Sequence, residues 1–104
     1  MSVLLPNNRH WAAANWVSYA LFGDALAFAE GTQAAFLEDL RFCLDAEVDT
    51  LDLRKATASD VASFRTIVER VVEHRRTHAP IDFAQPDMLP VYVQKLEELQ
   101  ALLR

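Results

Sequence analysis

The chain is 104 residues long, 52% hydrophobic and 24% charged, with a formal charge of −5. That composition excludes wholesale disorder, and its two glycines and four prolines exclude collagen-like and low-complexity classes. A chain of this size buries roughly 60–70% of its unfolded surface, so one helical domain spanning residues 1–104 is expected. A lone cysteine leaves no intrachain disulfide framework and no multi-cysteine zinc site.

Alanine and leucine supply 30 residues against 11 from valine and isoleucine, which favours helix over strand. No useful period-two run and no Asn-Gly or Asp-Gly hairpin signal is present. The first helix is expected from about Asn8 to Glu30, capped by Asn7 or Asn8 and stopped by Gly31, with Gly23 weakening or bending its middle. It is apolar almost all round, so it belongs at the centre. Trp11–Phe28 is long enough to raise the membrane question. Asn15, Ser18 and Asp24 interrupt it and no Lys or Arg cluster flanks it, which favours a buried helix. Val3-Leu4-Leu5 follows no basic leader, so the expected compartment is the cytoplasm, with which a lone Cys43 is compatible.

A second helix is expected from after Thr32 to about Ala46, with Phe36, Leu40, Cys43 and Leu44 on its inner stripe and Leu37 widening it. Glu47–Ala56 reads as a loop or a short helical turn anchored by Leu51 and Leu53. The third helix has the clearest pattern. Thr57 caps it with Asp60 three residues on, and Val61, Phe64, Ile67, Val68, Val71 and Val72 follow helical spacing. Arg75, Arg76 and His78 suit the negative end of its dipole, and Ala79-Pro80 ends it. Ile81–Asp87 reads as a loop anchored by Phe83. The fourth helix starts near Asp87, tolerates Pro90 in its first turn and turns Tyr92, Leu96, Leu99 and Leu103 inward, with Val93 and Leu102 at the edges. The expected architecture is therefore all-α: a compact four-helix bundle, mostly up-down, around an apolar first helix.

Little in the sequence points to catalysis. His74 and His78 have the spacing of two metal ligands on one helix face, but Arg75-Arg76-Thr77 lies between them where the zinc-protease motif needs glutamate next. His10 is a third candidate ligand that nothing in the sequence brings close. No metal and no cofactor is expected. A calcium loop counted from Asp45 fails at Thr50 and Ala56, where glycine and glutamate belong. Two glycines leave no phosphate-cradling loop, and Cys43 on an apolar stripe is expected to be unreactive. The chain is therefore not expected to be an enzyme. Trp11, Asn15, Ser18, Tyr19 and Phe22 can share one side of the first helix, either as a partner patch or facing another helix with Asn15 and Ser18 hydrogen-bonded inside. Asp24 among apolar neighbours, if buried, needs a cationic or N–H partner or stays protonated, and Arg65 or Arg70 could serve as the cation of a structural ion pair.

Charge is the more informative signal. Asp24 to Asp60 carries nine acidic and three basic residues, whereas Val61 to Ala79 carries four arginines and two glutamates. Phosphate backbones need clustered cations, so nucleic acid is not an expected partner. A positively charged protein is, met by Glu38, Asp39, Asp45, Glu47, Asp49 and Asp52. In size, acidity and helix-rich composition the chain resembles bacterial immunity proteins and antitoxin-type inhibitors. The resemblance implies a basic toxin as partner and occlusion as mechanism, and it transfers no individual residue. Two other classes stay open: self-association through an apolar side of the first or fourth helix, giving a homodimer, and a small metal-binding or enzymatic protein using His74 and His78.

Overall fold

The structure, a computed structural model, describes residues 2–6, 8–29, 36–48, 50–77 and 86–104. In chain order these form β1 (Ser2–Leu4), β2 (His10–Ala12), α1 (Asn15–Ala27), α2 (Phe36–Asp45), β3 (Thr50–Asp52), α3 (Ala58–Thr77), a 3-10 turn at Pro86–Met88, and α4 (Leu89–Leu102).

A three-stranded mixed sheet of order β2-β1-β3 accompanies the helices, so the fold is not the all-α four-helix bundle that composition suggests. Val3 is the centre of the sheet. It pairs with Trp11 on antiparallel β2 and with Leu51 on parallel β3, and all three side chains are buried. Leu5 and Leu53, two residues further along, are also buried, while His10, Ala12 and Asp52 are exposed. This is the period-two alternation of a sheet with one face on the core. Each strand is only three residues long, too short for the alternation to stand out from the apolar background, and Val3 and Leu51 meet only by tertiary folding.

The same finding shortens the first helix. Leu5 N–H donates to the Arg9 carbonyl at 2.8 Å, and Asn8 takes a left-handed φ of 61°, so this segment turns a hairpin. Asparagine tolerates that conformation better than other residues bearing a Cβ. Asn8 is thus a turn residue rather than a helix cap, and Trp11 lies on a strand rather than on the helix. The helix starts at Asn15, after Ala14 in an extended conformation, and continues through Gly23 to Ala27. Between α2 and α3, the expected loop contains β3.

Expectations at Asn7, Gly31, Thr32, Asp49, His78, Ala79-Pro80 and Phe83 fall outside the described residues. Elsewhere the helical pattern holds. Asp60 N–H donates to Thr57 Oγ1 at 3.1 Å, and Phe64, Ile67, Val68, Val71 and Val72 are buried. Tyr92, Leu96, Leu99 and Leu103 turn inward from the α4 segment, whose first turn contains Pro90. Phe36 and Phe64 meet edge to face with centroids 5.6 Å apart, tying α2 to α3. No helix among the described residues is long and apolar enough to cross a membrane.

Candidate functional site

The outward ridge of α2 follows from its own periodicity. Phe36, Leu37, Leu40 and Cys43 are buried, which leaves Glu38, Phe42 and Asp45, at i, i+4 and i+7, on the opposite side. Phe42 is 62% exposed, the most exposed of the large hydrophobic residues among those described. Its two ridge neighbours are carboxylates, and Arg41 is the basic residue in this turn. Sequence reading missed Phe42, although its position off the Leu40–Cys43 stripe is the signal that marks it.

The six carboxylates expected to act together are not all on this ridge. Glu38 and Asp45 flank Phe42. Asp39 instead lines a cleft of about 230 Å³ with Asp52, Lys55 and Asp60, floored by Phe36 and Leu53. Glu47 borders a separate recess, and Asp49 lies outside the described residues. Asp52 is committed within the chain. Its Oδ1 accepts from the backbone N–H and Nε of Arg54, both at 3.0 Å, and its Oδ2 accepts from Nη2 at 2.8 Å. The Arg54 side chain, then its backbone N–H, lowers the Asp52 carboxyl to about 2. A lowered carboxyl favours the folded state above the ordinary carboxylate range, and that contribution is lost as pH falls toward 2. A carbon-detected NMR titration is expected to show Asp52 protonating near pH 2 in the native protein and moving up in Arg54→Ala.

The end of α2 is held in an unusual way. Val48 N–H donates to the Cys43 carbonyl at 3.0 Å, closing a six-residue loop, and Glu47 between them takes a φ of 55°. This is the position where helix ends favour glycine, because a Cβ is crowded in the left-handed region. The Tyr19 hydroxyl donates to the Glu47 carbonyl at 2.7 Å and fixes the segment against α1. Glu47→Gly is expected to stabilise the fold by about 0.5–1 kcal/mol in urea denaturation, the relief of the left-handed Cβ outweighing glycine's freedom in the unfolded chain. Loss of stability on that change would mean the Glu47 side chain itself holds the helix end.

A second polar cluster joins α1, α3 and α4. Arg75 donates through Nε to Asp24 Oδ2 at 3.0 Å and through Nη2 to Oδ1 at 2.7 Å, and Tyr92 Oη donates to Oδ2 at 2.8 Å. Asp24 does find a cation, but it is Arg75 and neither Arg65 nor Arg70. Arg70 instead donates to the Phe28 carbonyl at 3.3 Å. The missed signal was spacing: Arg75 continues the buried line Phe64–Val68–Val71, so it points into the core rather than out at the helix end. Burial first, and then the Asp24 charge, pushes the Tyr92 phenol far up, so it stays a donor.

The other singled-out residues are placed as follows. His74 packs on Phe28 with ring centroids 5.1 Å apart, and His10 is exposed on β2. Cys43 is buried and its Sγ lies 3.4 Å from the Thr50 carbonyl. Trp11, Ser18 and Phe22 are core residues, while Asn15 is exposed. The Ser18 Oγ is buried without a hydrogen-bond partner among the described residues. Among these residues no group of three or more His, Cys, Asp or Glu side chains could hold a metal ion. Compared with family models, curated proteins and solved structures, the chain matches none.

Proposed function

We propose that the protein is a binding module that docks the outer ridge of α2 on a positively charged protein. The observation that carries this reading is Phe42, an exposed aromatic side chain on a ridge whose other members are the carboxylates Glu38 and Asp45. An aromatic anchor supplies affinity when a partner pocket desolvates it, and surrounding carboxylates steer a cationic surface and reject an anionic one. Asp52 contributes little, because a partner's cation must displace Arg54. The mechanism is occlusion, the one implied by the resemblance to immunity-type inhibitors: the bound module covers a basic surface of its partner and performs no chemistry. Cys43 as a lone thiol fits action in the cytoplasm.

The test has two steps. Affinity capture from the source cell at low salt supplies partner candidates, and the purified complex is then measured with two variants. Glu38→Lys with Asp45→Lys is expected to slow association, most strongly at low salt. Phe42→Ala is expected to speed dissociation and weaken binding by about 2 kcal/mol or more. Unchanged kinetics in both variants would end the proposal.

Self-association has its own supporting observation. Trp16 on α1 and Val91 on α4 are partly exposed, and the Trp16 ring lies 6.5 Å from the ring of Tyr92, the residue next to Val91. Light scattering that gives the monomer mass across a wide concentration range would retire that reading.

A further inference from the structure

The recess bordered by Glu47 lies where the start of α1 meets the end of α2. Its volume is about 590 Å³, and Asn15, Tyr19, Leu44 and Glu47 line it. One lining group is anionic, one is a side-chain amide, one is an aromatic ring and one is apolar. None is cationic. No ion pair joins the Glu47 carboxylate to a described residue, in contrast to Asp52 and Asp24, which are each paired with an arginine. The wall is also fixed in place. The hydrogen bond from Tyr19 to the Glu47 carbonyl and the loop closed by Val48 hold the Glu47 backbone in its left-handed conformation at the recess, so the side chain is presented from a fixed backbone.

We propose that this recess receives an arginine side chain presented by the basic partner, an assignment that rests on the docking reading above. A guanidinium matches the lining group for group. Its planar fork pairs with a carboxylate, its face stacks on an aromatic ring, and a side-chain amide oxygen accepts a remaining N–H. Its aliphatic stem packs on an apolar wall such as Leu44. Glu47 lies two residues past Asp45, at the end of the helix that carries the ridge.

The probe is N-acetyl-arginine amide, titrated into the labelled full chain and followed by amide and side-chain NMR shifts. The neutral citrulline analogue and the lysine analogue are run beside it. Shifts confined to Asn15, Tyr19, Leu44 and Glu47, with at most a weak response to citrulline, are expected. Glu47→Gln should weaken the arginine response about tenfold while leaving the spectrum of the fold intact. Asp45→Asn and Phe42→Ala should leave it in place. Absence of localised shifts, equal shifts from citrulline, or a response unaffected by Glu47→Gln would overturn the assignment. A stronger response to lysine would overturn the guanidinium as occupant. The two readings fail separately. If the recess ignores arginine but the Phe42 and ridge variants still weaken the partner complex, only the recess proposal falls. If the recess takes arginine and the ridge variants change nothing, the docking reading falls.

Discussion

Replacing Arg75 with alanine is expected to destabilise the protein by about 3–5 kcal/mol in urea denaturation, a large part of the stability of a domain this size. The Arg75 side chain is 7% exposed and that of Asp24 is 16%, so neither charge relaxes readily into water. Removing the guanidinium deletes both of its hydrogen bonds to Asp24 and leaves a partly buried carboxylate with the Tyr92 hydroxyl as its remaining identified donor. The cost is dominated by that stranded charge rather than by the worth of the pair. The double variant Asp24→Leu with Arg75→Met removes both charges and is therefore expected to recover most of the loss. Failure to recover would locate the effect in packing around Arg75. Tyr92 adds an alkaline signature. Its phenol is raised in the folded protein, so its contribution is complete below the ordinary tyrosine range and is lost as pH rises above about 10, where ionised tyrosine favours the unfolded chain. Tyr92→Phe is expected to flatten that alkaline limb.

Trp11→Ala is expected to cost about 3–5 kcal/mol, comparable with the Arg75 change but by another mechanism. The indole is 2% exposed, sits opposite Val3 in the sheet and donates from Nε1 to the Lys95 carbonyl on α4 at 2.9 Å. It therefore fastens the N-terminal hairpin to the last helix. Arg9 reinforces the same junction by donating to the Leu102 carbonyl at 2.7 Å. Truncation opens a cavity under the sheet and removes the hydrogen bond that the indole adds to an α4 carbonyl. Trp11→Phe keeps most of the ring but not the donor, and is expected to cost about 1–2 kcal/mol. Amide exchange checks the mechanism, because Trp11→Ala should deprotect Leu5, Leu53 and the α4 segment together. Deprotection confined to the hairpin would show that the two ends of the chain are not coupled.

Both results turn on contacts between segments far apart in the chain, and the same distinction separates what was legible in the sequence from what was not. Thr57 as cap, the buried stripe of α3, the inner face of α2 and the inward residues of α4 were readable, because a helix satisfies its hydrogen bonds within a few residues and displays its core side at a fixed spacing. The candidate site was partly readable for the same reason. Glu38 and Asp45 share a helix face by arithmetic, and so does Phe42, which was overlooked although the arithmetic includes it.

The remaining carboxylates were sorted by the tertiary fold. The turn after β3 gives Asp52 to Arg54, while the left-handed end of α2 and the Tyr19 hydroxyl place Glu47 at a recess on α1. By itself, then, the sequence determined a helix-rich chain with an acidic middle and the helical faces that must be buried. Only the tertiary structure decided that Val3, Trp11 and Leu51 form a sheet, and that Arg75 rather than another arginine neutralises Asp24. A strand's hydrogen bonds and a buried charge's counter-ion are both supplied by residues distant in sequence, and no local pattern names which ones.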